Sequence, residues 1–302
     1  MNTHSSRALA RPRFHGLSPV VAGCWRMAEW GLDVDARIAW IEACIEHGVS
    51  SFDHADIYGG YAVETLFGEA LARAPGLRAR IQLASKCGIR LVSSARPAHR
   101  IKSYDTSAAH IVASVDRSLH ALRTDHLDLL LIHRPDPLMD VAEIAHVFER
   151  LQRAGKVLRF GMSNFSPGQF ELLDSAVELV TQQIELSPLS REVLHDGTLD
   201  QCQRLGVQPM IWSPLAGGRL LTGDSAEALR VRAELERIAG ELHSDIATVA
   251  YAWVCRHPTR PIPITGTRRI EGIAQAVAAT QLRLSSEDWH ALWSAGAGRP
   301  VA

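Results

Sequence analysis

Long apolar segments and a strong excess of one charge are both missing from this chain of 302 residues. No apolar run approaches the ~20 residues that a helix needs to cross a bilayer. The net charge of −1 provides no electrostatic footprint for nucleic acid or for an anionic membrane. The N-terminal sequence MNTHSSRALARPRF is basic but lacks the apolar segment of a secretory signal. These absences predict a cytoplasmic protein with neither nucleic acid nor membrane among its partners.

Cysteine is also scarce, and its spacing forms no known pattern. The five cysteines are an odd number, and no two of them stand in a C-x-x-C spacing. A disulfide framework or a zinc ribbon is therefore not expected, and a reducing compartment fits. The sequence also contains no H-x-H and no H-E-x-x-H motif, so we predict no metal site.

What the chain does contain is a repeated alternation of short apolar runs and amphipathic segments. Several runs are apolar almost throughout, as in LDLLLIH, which is typical of strands buried on both faces. The eight runs are Val20–Arg26, Ser50–Asp56, Arg80–Cys87, Leu127–His133, Leu158–Asn164, Val180–Ser187, Gln208–Leu215 and Arg260–Gly266. Between them, segments such as Ala36–His47 and Ala108–Leu122 place aliphatic residues on one face of a helix.

Alternation of strand and helix, repeated eight times, predicts an α/β fold of the (β/α)8 TIM-barrel type. The competing architecture is a doubly wound open sheet, which usually carries a glycine-rich phosphate turn after its first strand. The first run here reads VVAGCWRMAEWG and has no G-x-G-x-x-G. We therefore predict a single barrel domain over residues 1–302, with an N-terminal segment at 1–19 and a short C-terminal helix and tail at 281–302.

Titratable side chains collect where the predicted strands end, which in a barrel is the position of the active site. Asp53 ends the second strand and leads to Tyr58, whereas Lys86 and His133 end the third and fourth. A buried ammonium needs a partner, and Asp53 is the nearest candidate for Lys86. Taken alone, each residue also fits an ordinary role in packing or at the surface; together they predict one cluster at the barrel mouth.

Such a cluster suits proton transfer. A tyrosine titrates near pH ~10, and a neighbouring lysine favours the phenolate and lowers that pKa. Tyr58 would then give a proton to a carbonyl oxygen or take one from an alcohol, and a neutral His133 would orient the same oxygen. No serine or cysteine is placed with a base as a nucleophile. A cofactor is therefore expected to bring the reducing equivalent.

Assembled in this order, the motifs resemble the aldo-keto reductase superfamily over about Val20–Ala279, and most closely a bacterial branch of oxidoreductases. The family's D-x(4)-Y matches DHADIY at 53–58, its lysine matches ASKCG, and its histidine matches DLLLIHRPD. G-x-S-N-F matches GMSNF at 161–165, and WSPL at 212–215 matches the seventh strand. The resemblance implies an NAD(P)H-dependent carbonyl reductase. In it, Asp53, Tyr58, Lys86 and His133 form the catalytic tetrad, with Tyr58 as the acid.

The resemblance also implies a site for NADPH, with NADH as a second possibility. Ser163, Asn164 and Gln183 would hold the nicotinamide carboxamide, and Trp212 would stack on the ring. The loop at 213–219 would pass over the pyrophosphate, and two adjacent arginines would meet the adenosine 2′-phosphate. The implied cofactor-binding residues are Cys24, Trp25, Ser163, Asn164, Gln183, Trp212, Ser213, Leu215, Gly217, Gly218, Arg219, Thr267, Arg268, Arg269 and Gln275. At the adenosine end the chain departs from the family, because Gly266-Thr267 stands where many members have lysine and serine.

Trp25, Trp30 and His133 are the predicted substrate-binding residues, although the two tryptophans would fit equally well as a cap on the barrel. The sequence LSSEDWHALWSAG predicts one short C-terminal helix. Longer family members use an extended C-terminal loop to close the pocket, so the short tail predicts an open site for a small-molecule carbonyl such as an aldehyde, an α-dicarbonyl or a quinone-like compound. Family analogy also favours a monomer. Asp56 and Asp136 are expected to be solvated loop carboxylates; the alternative is that they shape the entrance to the site.

Two other functions stay open. A nucleotide-binding regulatory or sensor protein of the same superfamily would carry the same motifs with little turnover. A Schiff-base aldolase would use Lys86 as its nucleophile. That lysine would need a depressed pKa, whereas the neighbouring Asp53 would raise it.

Overall fold

Eight parallel strands form the centre of the molecule. The computed structural model describes residues 12, 13 and 15–302. Residues 1–11 and 14 of the predicted N-terminal segment lie outside the described residues. The strands are β1 Val21–Gly23, β2 Ser51–Asp53, β3 Gln82–Cys87, β4 Ile89–Arg90, β5 Ser103–Tyr104, β6 Leu129–Ile132, β7 Phe160–Ser163, β8 Thr181–Glu185, β9 Met210–Trp212 and β10 Ile262–Thr265. All but β4 and β5 close into a barrel in the order β1-β10-β9-β8-β7-β6-β3-β2. The predicted TIM barrel is confirmed, and the open doubly wound sheet is excluded.

Helices surround this barrel, and most of them begin at the capping residues that the sequence supplies. The α-helices are α1 Val34–Glu46, α2 Val63–Arg73, α3 Ala108–Leu122, α4 Val141–Arg153, α5 Pro167–Asp174, α6 Thr198–Leu205, α7 Arg219–Thr222, α8 Ala226–Glu241, α9 Ile246–Cys255, α10 Ile270–Ala279 and α11 Ser286–Ala297. At α5, Ser166 accepts from the backbone of Gln169, whose side chain accepts from Ser166 in return, forming a capping box. None of the helices in the described part of the chain has the length and apolarity needed to span a bilayer.

The two-residue period of the strands decides which side chains reach the barrel interior. In β2, Phe52 packs outward against Phe67 of α2, with ring centroids 5.2 Å apart, so the following Asp53 points inward. In β3, Ser85 donates outward to Glu64 of α2 at 2.6 Å, so Lys86 points inward. Alternation therefore delivers an acid and a lysine from neighbouring strands to the same interior.

The C-terminal helix α11 packs against the outer helices. Trp289 stacks on Trp253 of α9 with ring centroids 5.0 Å apart and planes at 6°. Each indole Nε1 of this pair donates to the other residue's backbone carbonyl, at 2.9 and 3.0 Å. The expected short helix is present and packs against α8 and α9.

Candidate active site

Lys86 is the centre of the polar cluster at the carboxyl ends of the strands. Its Nζ lies 2.8 and 2.7 Å from the two carboxylate oxygens of Asp53. The same Nζ donates to the carbonyl of His54 at 2.8 Å and lies 2.9 Å from the hydroxyl of Tyr58. The side chain of Lys86 is fully buried, so these oxygens replace water around the ammonium. The structure therefore brings together the predicted acid, lysine and tyrosine.

The loop after β2 carries Tyr58 back over Lys86. The His54 amide donates to the Ala84 carbonyl at 2.8 Å, and the Asp56 amide donates to the Lys86 carbonyl at 3.1 Å. These bonds continue the β2–β3 pairing beyond the end of β2. A short 3₁₀ turn over Tyr58–Gly60 follows, in which Gly59 has φ 57°. The Nζ of Lys86 consequently lies 4.8 Å from the centre of the Tyr58 ring.

His133 completes the predicted group of four. Its ring centroid lies 5.9 Å from that of Tyr58, with the ring planes at 77°. Burial lowers the pKa of His133 well below its usual value, and the positive charges of Lys86, Arg134 and Lys102 lower it further. The imidazole is therefore neutral at physiological pH. Its Nδ1 is buried and has no hydrogen-bond partner among the described residues.

The pKa of Tyr58 differs from the sequence-based expectation. Burial raises the pKa of this phenol above its usual value, and the charge of Lys86 opposes that rise without cancelling it. Burial also lowers the pKa of Lys86, but the charges of Asp53 and Tyr58 outweigh it and the pKa is raised overall. The lysine is therefore a cation and the tyrosine a neutral phenol, which is the protonation state of a proton donor.

A second set of polar side chains lies at the ends of β7 to β9. The Nδ2 of Asn164 donates to the hydroxyl of Ser163 at 2.8 Å, and the indole Nε1 of Trp212 donates to the Oδ1 of Asn164 at 3.1 Å. Gln183 donates to Asp53 at 2.8 Å, which links this set to the first. Asn164 has φ 61°, the left-handed conformation that asparagine tolerates better than most residues. The predicted carboxamide-binding residues are thus neighbours in the fold.

Arg134 received no role in the sequence analysis, and the structure places it between the two sets. Its Nη1 donates to the backbone carbonyl of His133 at 2.8 Å and lies 3.4 Å from the hydroxyl of Ser163. The guanidinium carbon is 6.0 Å from the centre of the Trp212 ring. The sequence did contain a signal for this position, because Arg134 directly follows His133. A residue next to the predicted catalytic histidine lies at the same end of the barrel.

The predicted pyrophosphate loop turns sharply after β9. Ser213 has φ 51°, and Gly217 and Gly218 have φ 67° and 99°. Nothing lies within 4 Å of a Cβ built at either glycine, so the backbone there is open to a ligand. Leu215 is half-buried, and the Nε of the exposed Arg219 donates to the Ala216 carbonyl at 3.1 Å.

The predicted adenosine end lies at the start of α10. The Nη1 of Arg268 donates to the carbonyl of Trp30 at 2.9 Å, which ties this end to the loop after β1. Arg269 is exposed, and its amide donates to the hydroxyl of Thr267 at 3.1 Å. Gln275 is half-buried, and its backbone carbonyl accepts from Thr248 at 3.3 Å.

Residues after β1 divide into buried and exposed positions. Cys24 is fully buried, and Trp30 is buried with its ring 5.0 Å from that of Trp40. Trp25 is 61% exposed, and the guanidinium of Arg26 lies 5.7 Å from its ring centre. Of the two predicted substrate-lining tryptophans, Trp25 presents its ring to solvent, whereas Trp30 packs in the hydrophobic core.

Two carboxylates correct the sequence analysis. Asp56 and Asp136 are 8% and 7% exposed, so neither is the solvated loop carboxylate that was expected. Asp136 accepts from the hydroxyl of Thr106 at 3.1 Å and from the amide of Leu138 at 2.9 Å. The loops that carry both residues fold inward over neighbouring elements, which short-range sequence patterns do not indicate.

Comparison with known proteins agrees with this geometry. The model of the Aldo/keto reductase family matches residues 19–296. The uncharacterized oxidoreductase YcsN of Bacillus subtilis is 48% identical, covering 94% of this chain and 96% of YcsN. A 6-dehydroglucose reductase of Agrobacterium fabrum is 43% identical, covering 95% and 96%. A crystal structure of an aldo/keto reductase from Klebsiella pneumoniae with NADP and acetate superposes with a TM-score of 0.75 at 29% identity, covering 91% and 89%. The chain therefore belongs to the aldo/keto reductase family and is an oxidoreductase.

Proposed function

We propose that this protein is an NADP(H)-dependent reductase that converts an aldehyde or ketone to an alcohol, with Tyr58 as the proton donor. The observation that carries the proposal is the fully buried ammonium of Lys86 between the carboxylate of Asp53 at 2.7 Å and the phenol of Tyr58 at 2.9 Å. This arrangement holds a neutral phenol beside a fixed positive charge. As the phenol gives up its proton, the charge stabilises the phenolate that forms.

The residues at the ends of β7 to β9 fit a nicotinamide cofactor. Ser163 and Asn164 supply a hydroxyl and an amide beside the half-buried Trp212, which are groups suited to a carboxamide and an aromatic ring. Gly217 and Gly218 leave backbone open for a pyrophosphate, and Arg268 and Arg269 supply positive charge for a 2′-phosphate. Once bound, the dihydronicotinamide would supply a hydride to the carbonyl carbon. The Klebsiella pneumoniae neighbour, solved with NADP, supports the choice of NADP(H).

Each residue of the four would then have a distinct task. The hydroxyl proton of Tyr58 would pass to the carbonyl oxygen as the carbonyl carbon is reduced, which gives the neutral alcohol. The neutral His133 would orient that oxygen. Asp53 would keep Lys86 charged and in place, and Gln183 would hold Asp53 through its 2.8 Å hydrogen bond.

The test is NADPH oxidation with a panel of small carbonyls, using the wild type and Tyr58→Phe. The panel includes an oxidised sugar, because one relative is named a 6-dehydroglucose reductase. Loss of the general acid is expected to lower turnover by about 10²–10⁴-fold. NADPH binding, measured by quenching of the seven tryptophans, is expected to stay unchanged.

Tyr251→Phe is the matched control, since it removes a phenolic hydroxyl from another buried tyrosine, which donates to Thr265 at 2.8 Å. This variant should retain turnover. Unchanged turnover in Tyr58→Phe would remove Tyr58 from its proposed role. NADPH binding without turnover of any carbonyl would favour the regulatory or sensor alternative.

The Schiff-base alternative is disfavoured by the surroundings of Lys86. Its ammonium contacts four oxygens, and its pKa is raised rather than depressed. A nucleophilic lysine needs a neutral amine with a free lone pair. Borohydride treatment with a carbonyl substrate is therefore expected to trap no adduct.

A further inference from the structure

A cavity of about 260 Å³ opens between the loop after β2, the β4–β5 hairpin and the start of α3. Its lining includes none of Asp53, Tyr58, Lys86 and His133. It is therefore separate from the candidate active site, although Asp56 in its wall lies only two residues before Tyr58.

Three arginines line this cavity: Arg90, Arg96 and Arg117. Two carboxylates, Asp56 and Asp105, line the same cavity. Asp105 lies 3.8 Å from Arg90 and 3.7 Å from the ring of His110, and the hydroxyl of Ser107 donates to it at 2.7 Å. Asp105 offsets one of the three positive charges, so the excess is two when Asp56 is protonated and one when it is ionised.

Two of these arginine side chains are held in position by contacts within the protein. Arg96 lies over the ring of Tyr61, with 4.5 Å from its guanidinium carbon to the ring centre. Arg117 donates to the hydroxyl of Ser114 at 2.9 Å. Guanidinium groups fixed in this way lose less conformational entropy when they bind an oxyanion than free side chains do.

The first turn of α3 also points toward the cavity. Ser107 caps this helix by accepting from the amide of His110, and Ala109 and His110 both line the cavity. The amides of Ala108 and His110 already donate to Glu143 at 2.8 Å and to Ser107 at 3.3 Å, so the amide of Ala109 is the one left for a ligand in this first turn among the described residues. That amide and the partial positive charge at the start of a fifteen-residue helix favour an anion at this place.

Asp56 is the observation that points to a ligand. Its Oδ2 accepts from the hydroxyl of Ser114 at 3.1 Å, but its buried Oδ1 has no hydrogen-bond partner among the described residues. Burial and the neighbouring Glu64 raise the pKa of Asp56 to about 7, against the opposing effect of Ser114. A buried polar atom without a partner is costly, and Asp56 is one of the residues that line this polar cavity. In its protonated form, Asp56 would be a donor to an oxyanion.

The size of the cavity limits what can fill it. Ligand pockets commonly measure ~300–1,000 Å³, whereas a water molecule takes up ~30 Å³ in the liquid. This cavity is therefore too small for a dinucleotide and larger than a single water needs. It suits an oxyanion with at most a few carbon atoms attached.

We propose that this cavity is a second binding site, which takes a phosphate group, either as free inorganic phosphate or as the phosphate ester of a small carbon skeleton. Arg90, Arg96 and Arg117 would neutralise the dianion. The start of α3 and the carboxyl of Asp56 would donate to its oxygens.

Isothermal titration with inorganic phosphate tests this site, with and without saturating NADPH. NADPH would compete with phosphate at Arg268 and Arg269, whereas the separate cavity would stay available. Saturable binding of one phosphate per chain is expected to persist when NADPH is present. Arg96→Gln and Arg117→Gln are each expected to weaken it by about tenfold or more, as loss of a charged hydrogen bond implies.

Arg100→Gln is the control, because Arg100 is exposed near the hairpin and does not line the cavity. Its affinity for phosphate should equal that of the wild type. A parallel titration with glycerol 3-phosphate distinguishes the sources: tighter binding than phosphate assigns an ester, and weaker binding assigns the free ion. The proposal is overturned if phosphate does not bind saturably, if NADPH abolishes binding, or if both arginine variants bind like the wild type.

Discussion

At the scale of single residues, Asp53 and Asp56 lie only three positions apart in the sequence but have different surroundings. Asp53 lies inside the barrel with an ammonium and an amide as partners. Asp56 lies beyond the strand, where one carboxylate oxygen accepts from a hydroxyl and the other has no hydrogen-bond partner among the residues that the structure describes. Burial alone does not distinguish them, since both are nearly inaccessible to solvent. The charges of their neighbours do, because Asp53 contacts the ammonium of Lys86, whereas Asp56 lies near Glu64 as well as Arg117.

Asp56→Asn is expected to change the pH dependence of stability. The folded-state pKa of Asp56 is about 7, against a usual value of 3.8, so between these values the folded chain binds more protons than the unfolded chain. The contribution of Asp56 is present at low pH and is lost as pH rises through about 7. Relative to wild type, the variant should therefore gain about 1–4 kcal/mol in free energy of unfolding between pH 5 and pH 8.

Urea denaturation across this pH range, in buffers free of phosphate and sulfate, measures that difference. Asp224→Asn is the control, since Asp224 is exposed. Its difference from wild type should be flat with pH. A flat difference for Asp56→Asn as well would mean that Asp56 is ionised in the folded protein at an ordinary pH.

At the scale of elements, α2 and α3 pack closely together outside the strands that carry the candidate site. A Cβ at Gly68 of α2 would lie 1.9 Å from the carbonyl oxygen of Ala121 in α3. The glycine therefore permits the two helices to approach, and α2 also supplies Glu64 and Phe67 to the outer faces of β2 and β3. Local preference for helix would favour alanine at this position, so the tertiary contact overrides it.

Gly68→Ala is expected to lower the free energy of unfolding by about 1–3 kcal/mol or more, because the clash is with backbone that cannot rotate away. Gly240→Ala is the matched control in α8, where nothing lies within 4 Å of the added Cβ. There the helix preference acts alone, and a gain of about 0.5–1 kcal/mol is expected. Thermal or urea unfolding measures both, and equal effects of the same sign would contradict the close packing of α2 on α3.

At the scale of the whole molecule, the candidate cofactor site gathers segments from most of the chain. The bond from Arg268 to the carbonyl of Trp30 joins residues 238 positions apart across the closure of β1 on β10. Arg268 and Arg269 are both exposed, and this bond ties Arg268 to the loop after β1. Only a closed barrel brings these residues near the end of the chain to the loop after the first strand.

The double variant Arg268→Ala with Arg269→Ala is expected to weaken NADPH binding by about 10–100-fold, because charged hydrogen bonds to the 2′-phosphate are lost. NADH lacks that phosphate, so the affinity for NADH should weaken by less than about threefold. Tryptophan quenching measures both affinities, and Arg283→Ala, which alters an exposed arginine beyond α10, should change neither. Equal weakening of both nucleotides would place the 2′-phosphate elsewhere.

Sequence patterns predicted the fold to a useful depth. The eight apolar runs each contain one barrel strand, although the strands are only three to six residues long and the runs are longer. The run ends instead form the loops of the barrel mouth, as at Asp56 and His133. Periodicity and motif order were sufficient here because strand alternation and local spacing are properties of neighbouring residues.

The sequence by itself determined the barrel, the grouping of Asp53 and Lys86 at its mouth, and the family to which the chain belongs. Tertiary structure alone decided the burial of Asp56 and Asp136, the position of Arg134 beside Trp212, and the cavity between the hairpin and α3. It also decided that burial outweighs Lys86 in setting the direction of the Tyr58 pKa. The physical reason is that solvent exclusion and charge proximity depend on segments far apart in the chain, and no local pattern records their distances.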